Sequence, residues 1–221
     1  FSGDGSGLTG VASTDNIITG TAATFNNNVN IAGSIFHVGD TNTAFGFPAA
    51  DTFTVYTGGS EAIRVDSGSR LLIGDTGSYL VNGVSSKLQV SDAGGPSRIM
   101  TIRTEDGVNG SGMHIAKSRN GAIVQDDDQL GGVFFIGHDG TDLASQAAQI
   151  VCHVDGAPGS NDMPGRLVFK TTADGAAAAT ERLRITSAGR IGIGTAEPDR
   201  LLVVAGSDPI IRSEDTDTGN N

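Results

Sequence analysis

Short alternations of apolar and polar residues recur along the chain and predict β-strands. They fall at residues 53–57, 63–65, 71–73, 88–90, 100–102, 114–115, 133–136, 150–154, 167–169, 183–185, 191–193 and 201–204. Asn-Gly and Asp-Gly dipeptides, which favour the backbone of hairpin turns, begin at positions 82, 106, 109, 120, 139, 155 and 174. Two stretches with helix-forming residues, 142–149 and 173–182, are too short to nucleate a helix alone. The pattern predicts an all-β chain of antiparallel hairpins and meanders with little or no helix.

One part of this pattern occurs twice, 120 residues apart. The segment EAIRVDSGSRLLIG (61–74) aligns with ERLRITSAGRIGIG (181–194), and six of the 14 positions are identical. The alignment continues from Leu88 to Leu201, and residues 102–106 resemble residues 211–215. Alternation predicts that Ile63 and Val65 point inward and that Arg64 points out. Because neither copy has enough apolar side chains for its own core, the repeat predicts burial between chains.

Composition and the repeat divide the chain into four segments. Residues 1–35 are rich in Gly, Asn and Thr and predict an extended shaft segment. Residues 36–78 are the first β repeat module, and residues 79–166 are a β-hairpin or meander module. Residues 167–221 are the second β repeat module, which we expect to be truncated at its C-terminal end. The chain is therefore expected to be a piece of a longer protein.

Composition and charge narrow the class of protein and its partners. Gly accounts for 33 residues, Trp is absent and aromatic residues make up 5%, which leaves little material for a thick core. The net charge of −11 disfavours nucleic acid and anionic membrane surfaces, because both require a basic face. No apolar run approaches the roughly 18 residues that a membrane-spanning helix needs, so membrane insertion is not expected.

The sequence predicts no catalytic, cofactor-binding or metal-binding residues. Cys152 alternates with Ile150 and Val154 and predicts a buried, inert thiol. Residues 126–128, three consecutive aspartates, favour a solvated turn over a calcium site, since they lack a central glycine and a bidentate glutamate. The four histidines lack metal-ligand spacing and are expected to be ordinary strand or loop residues. If three chains assembled around an axis, one histidine from each chain could converge there and bind a metal. The four histidines are His37, His114, His138 and His153.

Two further patterns point to structure rather than to chemistry. The glycines between Gly189 and Gly194 favour a closely packed strand over a dinucleotide-binding fingerprint, because Glu197 replaces the third glycine and Pro198 follows. Glu61 and Glu181 are repeat equivalents, which favours a structural role over acid catalysis of glycoside cleavage. A catalytic carboxylate pair among the aspartates remains an open alternative.

Several phrases, taken in order, resemble bacteriophage tail fibres or tail spikes of the type found in marine and cyanobacterial phages. They are FSGDGSGLTGV (1–11), GDTNT (39–43) with FPAADTF (47–53), GGVFFIG (131–137), VDGAPG (154–159) with NDMPGRLVF (161–169), and ERLRI (181–185) with GRIGIGTAEP (189–198). In such proteins this β-rich region often precedes a C-terminal, self-cleaving intramolecular chaperone domain. The resemblance does not include the cleavage machinery of that domain.

The resemblance implies an elongated, intertwined homotrimer with modules like a triple-stranded β-helix or β-prism. It implies a non-enzymatic virion component, assembled in the bacterial cytoplasm and extracellular after release, that contributes to host-cell attachment. Its partners would be other tail or baseplate proteins and a bacterial surface glycan or other receptor, and no cofactor is implied. Two alternatives stay open, a tail spike that depolymerises polysaccharide and a purely structural fibre shaft.

Overall fold

A computed structural model of the chain describes residues 28–92 and 94–212, which contain β-strands and no helix. The predicted all-β fold is confirmed. The strands are β1 (Ser34–His37), β2 (Asp40–Gly46), β3 (Phe53–Thr57), β4 (Ser60–Val65), β5 (Leu71–Ile73), β6 (Leu80–Val81), β7 (Val84–Ser85), β8 (Leu88–Val90), β9 (Gln129–Gly137), β10 (Ser145–Val154), β11 (Gly165–Thr171), β12 (Thr180–Ile185), β13 (Ile191–Ile193) and β14 (Leu202–Val204).

These strands form two six-stranded sheets and one small hairpin. The first sheet has the order β1-β2-β3-β4-β5-β8, the second has the order β9-β10-β11-β12-β13-β14, and β6 pairs with β7. Neighbouring strands are antiparallel, as predicted, except at one end of each sheet. There β5 runs parallel to β8, and β13 runs parallel to β14. Each sheet is therefore a meander that ends in one parallel pair.

The two sheets correspond strand by strand. In each sheet six apolar residues stand opposite one another, one on each strand, and we call these two sets the apolar rows. The first apolar row is Ile35, Phe45, Val55, Ile63, Ile73 and Val90. The second is Val133, Ile150, Phe169, Leu183, Ile193 and Val204. The repeat seen in the sequence covers only three strands of each sheet, so the duplication is larger than predicted.

The parallel pairs correct the predicted alignment by one residue. Leu71 stands opposite Leu88 in the first sheet, and Ile191 stands opposite Leu202 in the second. Leu88 therefore corresponds to Leu202, and its alignment with Leu201 was wrong. The β6–β7 hairpin lengthens the connection before β8, so the hydrogen-bond register decides the correspondence better than residue identity does.

A β-bulge occurs at the same place in both sheets and changes which side chains share a face. Pairing shifts between Glu61 and Ile63 in β4 and between Glu181 and Leu183 in β12. The extra residue puts Glu61 on the same face as Arg64, and the two side chains form an ion pair at 2.6 Å. The equivalent Glu181 binds Arg184, also at 2.6 Å. Both glutamates thus make the same structural contact, and the absence of a catalytic role stays a prediction.

Within one chain, most buried residues of the two sheets lie on the face opposite the apolar rows, and Val154 is an exception at the end of β10. Thr54 and Leu72 are 0% and 1% exposed, and they stand directly across from Arg64 on its two neighbouring strands. Val65, on the apolar side of the same sheet, is 39% exposed. The prediction that the arginine face is the outer one is therefore wrong for a single chain, because several residues of the apolar rows stay exposed there, including Ile73 and Ile193.

The predicted strands at 100–102 and 114–115 are not formed. Residues 94–123 run without a strand, and Met100 is 79% exposed. Side-chain hydrogen bonds from Ser111 to Thr101 and from Arg103 to Asn109 hold parts of this segment together. Alternation supplies the right side chains, but a strand also needs a neighbour, and this segment has no sheet partner among the described residues. The four-segment division stays a prediction, and the phrase at 1–11 lies outside the described residues.

Candidate functional site

The partly exposed apolar rows form a candidate interaction surface among the described residues. Ile73 and Ile193 occupy equivalent places in the two rows and are 37% and 39% exposed. Apolar side chains that line up across six strands and stay half-exposed have the arrangement of an interface.

A second set of apolar residues widens each of these faces. It comprises Phe53, Val65, Leu71 and Leu88 in the first sheet and Leu167, Ile185, Ile191 and Leu202 in the second. In the first sheet the ring of Phe53 lies 6.1 Å from that of Phe45 and 5.8 Å from that of Phe47. An open apolar hollow of about 450 Å³ lies beside these rings and is bounded by Ile35 and Val55.

The three consecutive aspartates, residues 126–128, have different surroundings. Asp128 is 7% exposed, and its carboxylate binds Arg119 Nε at 2.7 Å and Lys117 Nζ at 2.7 Å. The backbone N–H of Gln125 donates to it as well, at 2.9 Å. These donors, Arg119 above all, hold the pKa of Asp128 far below its usual value. The predicted solvated turn is therefore wrong for Asp128, which is the buried centre of an ion-pair cluster.

Asp126 and Asp127 face a polar cavity of about 500 Å³ at the end of the second sheet. Arg166 crosses its wall, with Nη2 2.5 Å from Asp127 Oδ1 and Nη1 3.2 Å from Asp155 Oδ1. Asp155 also accepts a hydrogen bond from the backbone N–H of Ser187 at 2.7 Å. Burial raises the pKa of Asp155, but the bonds from Ser187 and Arg166 outweigh this effect and leave the pKa below its usual value.

The rest of the wall of this cavity comes from β12, the turn between β12 and β13, and the connection after β13. It contributes Arg184, Thr186, Arg190 and Glu197. Arg184 is fixed by Glu181 and by the carbonyl of Ala196, which its Nη1 reaches at 2.7 Å. The cavity therefore presents cationic and anionic groups side by side. Sequence reasoning missed it because its walls come from positions up to 72 residues apart, such as Asp126 and Pro198.

The other residues singled out from the sequence lie apart from one another. Cys152 is half-buried instead of buried, and it lies on the same face of β10 as Ile150. His138 Nδ1 accepts a hydrogen bond from Gly140 N at 3.0 Å, and His153 Nδ1 lies 3.3 Å from Asp127 O. His37 and His114 are exposed. Among the described residues, no three His, Cys, Asp or Glu side chains are arranged to hold a metal ion.

The glycine-rich stretch from Gly189 to Gly194 forms β13 and the turns on either side of it. The predicted strand is confirmed there.

In the part of the chain that the structure describes, no helix has the length and apolar character needed to cross a membrane.

Neither a protein-family model nor a curated protein sequence matches the chain. Its fold does match solved structures. The carboxy-terminal domain of the bacteriophage T5 L-shaped tail fibre superposes with a TM-score of 0.55 at 14% sequence identity, over 97% of this chain and 98% of that one. The chain has the fold of a phage tail-fibre domain.

The same T5 domain has also been solved with its intramolecular chaperone domain. That structure matches with a TM-score of 0.54 at 14% identity, over 94% of this chain and 70% of the other. The resemblance to phage tail fibres, first based on sequence phrases, is therefore confirmed at the level of the fold.

Proposed function

We propose that this chain is a structural, non-enzymatic component of a bacteriophage virion, a segment of a trimeric tail fibre that contributes to host-cell attachment. The observation that carries the proposal is the fold shared with a tail-fibre domain over 97% of the chain. The partly exposed apolar rows support it independently, because they are what a chain that folds with copies of itself would present.

Trimerisation explains the exposed surface of the single chain. Three copies around one axis can turn their apolar rows toward one another and bury them, which gives the intertwined, β-helix-like modules expected of a fibre. Burying the exposed half of an Ile, Leu or Phe side chain contributes about 1 kcal/mol. Because each sheet carries its own row, both halves of the chain would join the assembly.

Attachment by such a fibre is multivalent. Three chains per fibre and several fibres per virion raise the effective concentration of each contact, so weak contacts to a bacterial surface glycan or protein suffice. The other end of the fibre would contact tail or baseplate proteins of the same virion. The net charge of −11 per chain is compatible with these partners and opposes binding to nucleic acid.

Sedimentation equilibrium and an adsorption assay test the proposal together. The purified chain should sediment with three times its mass of 22.4 kDa at micromolar concentration. In excess, it should reduce adsorption of the phage that encodes it to host cells. A monomer mass would contradict the trimer, and a trimer that leaves adsorption unchanged would favour a purely structural shaft.

The depolymerase alternative has its own measurement. Host polysaccharide is incubated with the trimer, and new reducing ends are followed over time. We expect none above background. Sustained release in proportion to the amount of protein would contradict the non-enzymatic proposal.

A further inference from the structure

The two sheets differ most in one connection, the segment between the last antiparallel strand and the parallel one. Twelve residues lie between Gly74 and Lys87, whereas six lie between Gly194 and Leu201. The extra residues in the first sheet form the β6–β7 hairpin. Ser85 of this hairpin accepts a hydrogen bond from Arg70 Nη1 at 2.9 Å. The second sheet has no such hairpin, and the polar cavity lies there instead.

Arg70 and Arg190 are equivalent, but only Arg70 has a carboxylate partner. Arg70 Nε binds Asp66 Oδ2 at 2.7 Å. At the place of Asp66 the second sheet has Thr186. The backbone hydrogen bond is the same in both sheets, since Arg70 N donates to Asp66 Oδ1 at 3.1 Å and Arg190 N donates to Thr186 Oγ1 at 3.1 Å. Threonine cannot neutralise a guanidinium group, so the second copy keeps the cation without its counter-ion.

The surroundings of Arg190 do not replace that counter-ion. Its guanidinium donates to the carbonyl of Pro198 at 3.2 Å, and no carboxylate of the described residues lies within ion-pair distance. Carboxylates do line the rest of the cavity, at Asp126, Asp155 and Glu197. The cavity thus has one cationic group with spare donors and several anionic groups that can accept hydrogen bonds.

We propose that this cavity binds an acidic saccharide, whose carboxylate pairs with Arg190 in the place that Asp66 holds in the first sheet. Its hydroxyl groups donate to the carboxylates of Asp126 and Glu197. The inference rests on the proposed function, since it gives the attachment protein a ligand class. A ligand rich in hydroxyl groups suits a wall of carboxylates, because hydroxyl groups donate hydrogen bonds without carrying a charge. The single carboxylate of the ligand supplies the counter-ion that Arg190 lacks.

A phosphorylated ligand fits the same cavity less well. A phosphate monoester carries close to two negative charges at pH 7. It would bring them near Asp126, Asp155 and Glu197, whereas a carboxylate brings one. The geometry therefore favours a carboxylate over a phosphate at Arg190.

Saturation-transfer NMR with D-glucuronate and D-glucose as probes tests the proposal, because the two sugars differ in the carboxylate. The wild-type trimer should give saturation transfer to glucuronate and at least tenfold less to glucose. Thr186→Asp supplies the counter-ion internally, as in the first sheet, and should weaken glucuronate binding at least tenfold. Because Asp66 holds the equivalent place, this variant is expected to fold, which circular dichroism and sedimentation mass check.

Arg70→Gln is the matched control and should leave glucuronate binding unchanged, while Arg190→Gln should remove it. Three results would overturn the proposal. They are equal saturation transfer to both sugars, no transfer to glucuronate at about 10 mM, and glucuronate binding by Thr186→Asp that equals that of wild type. Inorganic phosphate is added as a competitor of glucuronate. If phosphate binds more tightly than glucuronate does, the assignment of a carboxylate ligand to Arg190 is wrong. A chain that forms trimers and blocks adsorption yet ignores glucuronate refutes this inference alone and leaves the proposed function standing.

Discussion

At the scale of single residues, Asp128 shows how a chain with few lysines and glutamates stabilises a turn. The carboxylate lies between Arg119 and Lys117 and also accepts the backbone N–H of Gln125. The carbonyl of the same residue accepts a hydrogen bond from Val154 N at 2.9 Å, which joins the turn to the end of β10. One aspartate therefore connects the segment before β9 to the second sheet.

The ionised state of Asp128 should make stability depend on pH. Its pKa in the folded chain lies below the unfolded value of about 3.9. The unfolded chain therefore binds the proton first as pH falls, so the stabilisation is complete above about pH 5 and is lost below it. We expect the melting temperature to fall between about pH 5 and pH 2. Asp128→Asn should melt lower than wild type at pH 7 and should lose less on acidification.

Asp174→Asn is the control for this comparison, because it removes an exposed carboxylate that has no ion pair among the described residues. Its melting curve should follow that of wild type at every pH. Parallel acid profiles for wild type and Asp128→Asn would show that Asp128 does not contribute to the pH dependence.

At the scale of elements, each sheet ends in a parallel pair that depends on one glycine. Gly74 and Gly194 have φ of 84° and 71°. A Cβ atom at Gly74 would lie 2.1 Å from the carbonyl oxygen of Ser91, and one at Gly194 would lie 2.2 Å from that of Ala205. Both carbonyls belong to the residue that follows the parallel strand, so a side chain at either glycine would push that strand away.

We expect Gly194→Ala to destabilise the chain by about 2 kcal/mol or more, from the positive φ and the contact with Ala205 together. Gly175→Ala is the matched control, since Gly175 has φ of 76° and open space around its Cβ position. It should cost only about 1 kcal/mol for the backbone conformation. Chemical denaturation measures both, and equal losses would show that contact with the parallel strand does not matter.

The elements also show what the sequence could predict and what it could not. Alternation located β3, β4, β5 and most of the second sheet, because their side chains point alternately to two different faces. It missed β1 and β2, and it could not reveal the bulge that joins Glu61 to Arg64, since a bulge breaks the two-residue period. The exchange of Asp66 for Thr186 is visible in the alignment. The cavity beside it is not, because its lining residues come from segments that are far apart in the sequence.

At the scale of the whole molecule, the apolar rows explain why the chain has many glycines and few aromatic residues. A sheet whose buried face is filled by Thr54, Leu72 and long arginine side chains needs few large residues inside one chain. The larger apolar side chains are reserved for the opposite face, where copies of the chain are proposed to meet. Glycine-rich turns and short strands suit such an assembly because the chain need not enclose a core alone.

A charge placed in an apolar row should therefore separate the chains. Ile193→Asp would bring one buried carboxylate per chain to the interface, without a cationic partner, and we expect its sedimentation mass to fall from that of a trimer toward 22.4 kDa. Ile63→Asp makes the same change at the fourth strand of the first sheet and should act in the same direction. Val108→Asp, fully exposed and outside both rows, adds the same charge and should leave the trimer intact. If Ile193→Asp and Ile63→Asp both keep the wild-type mass at micromolar concentration, the apolar rows do not form the interface between chains.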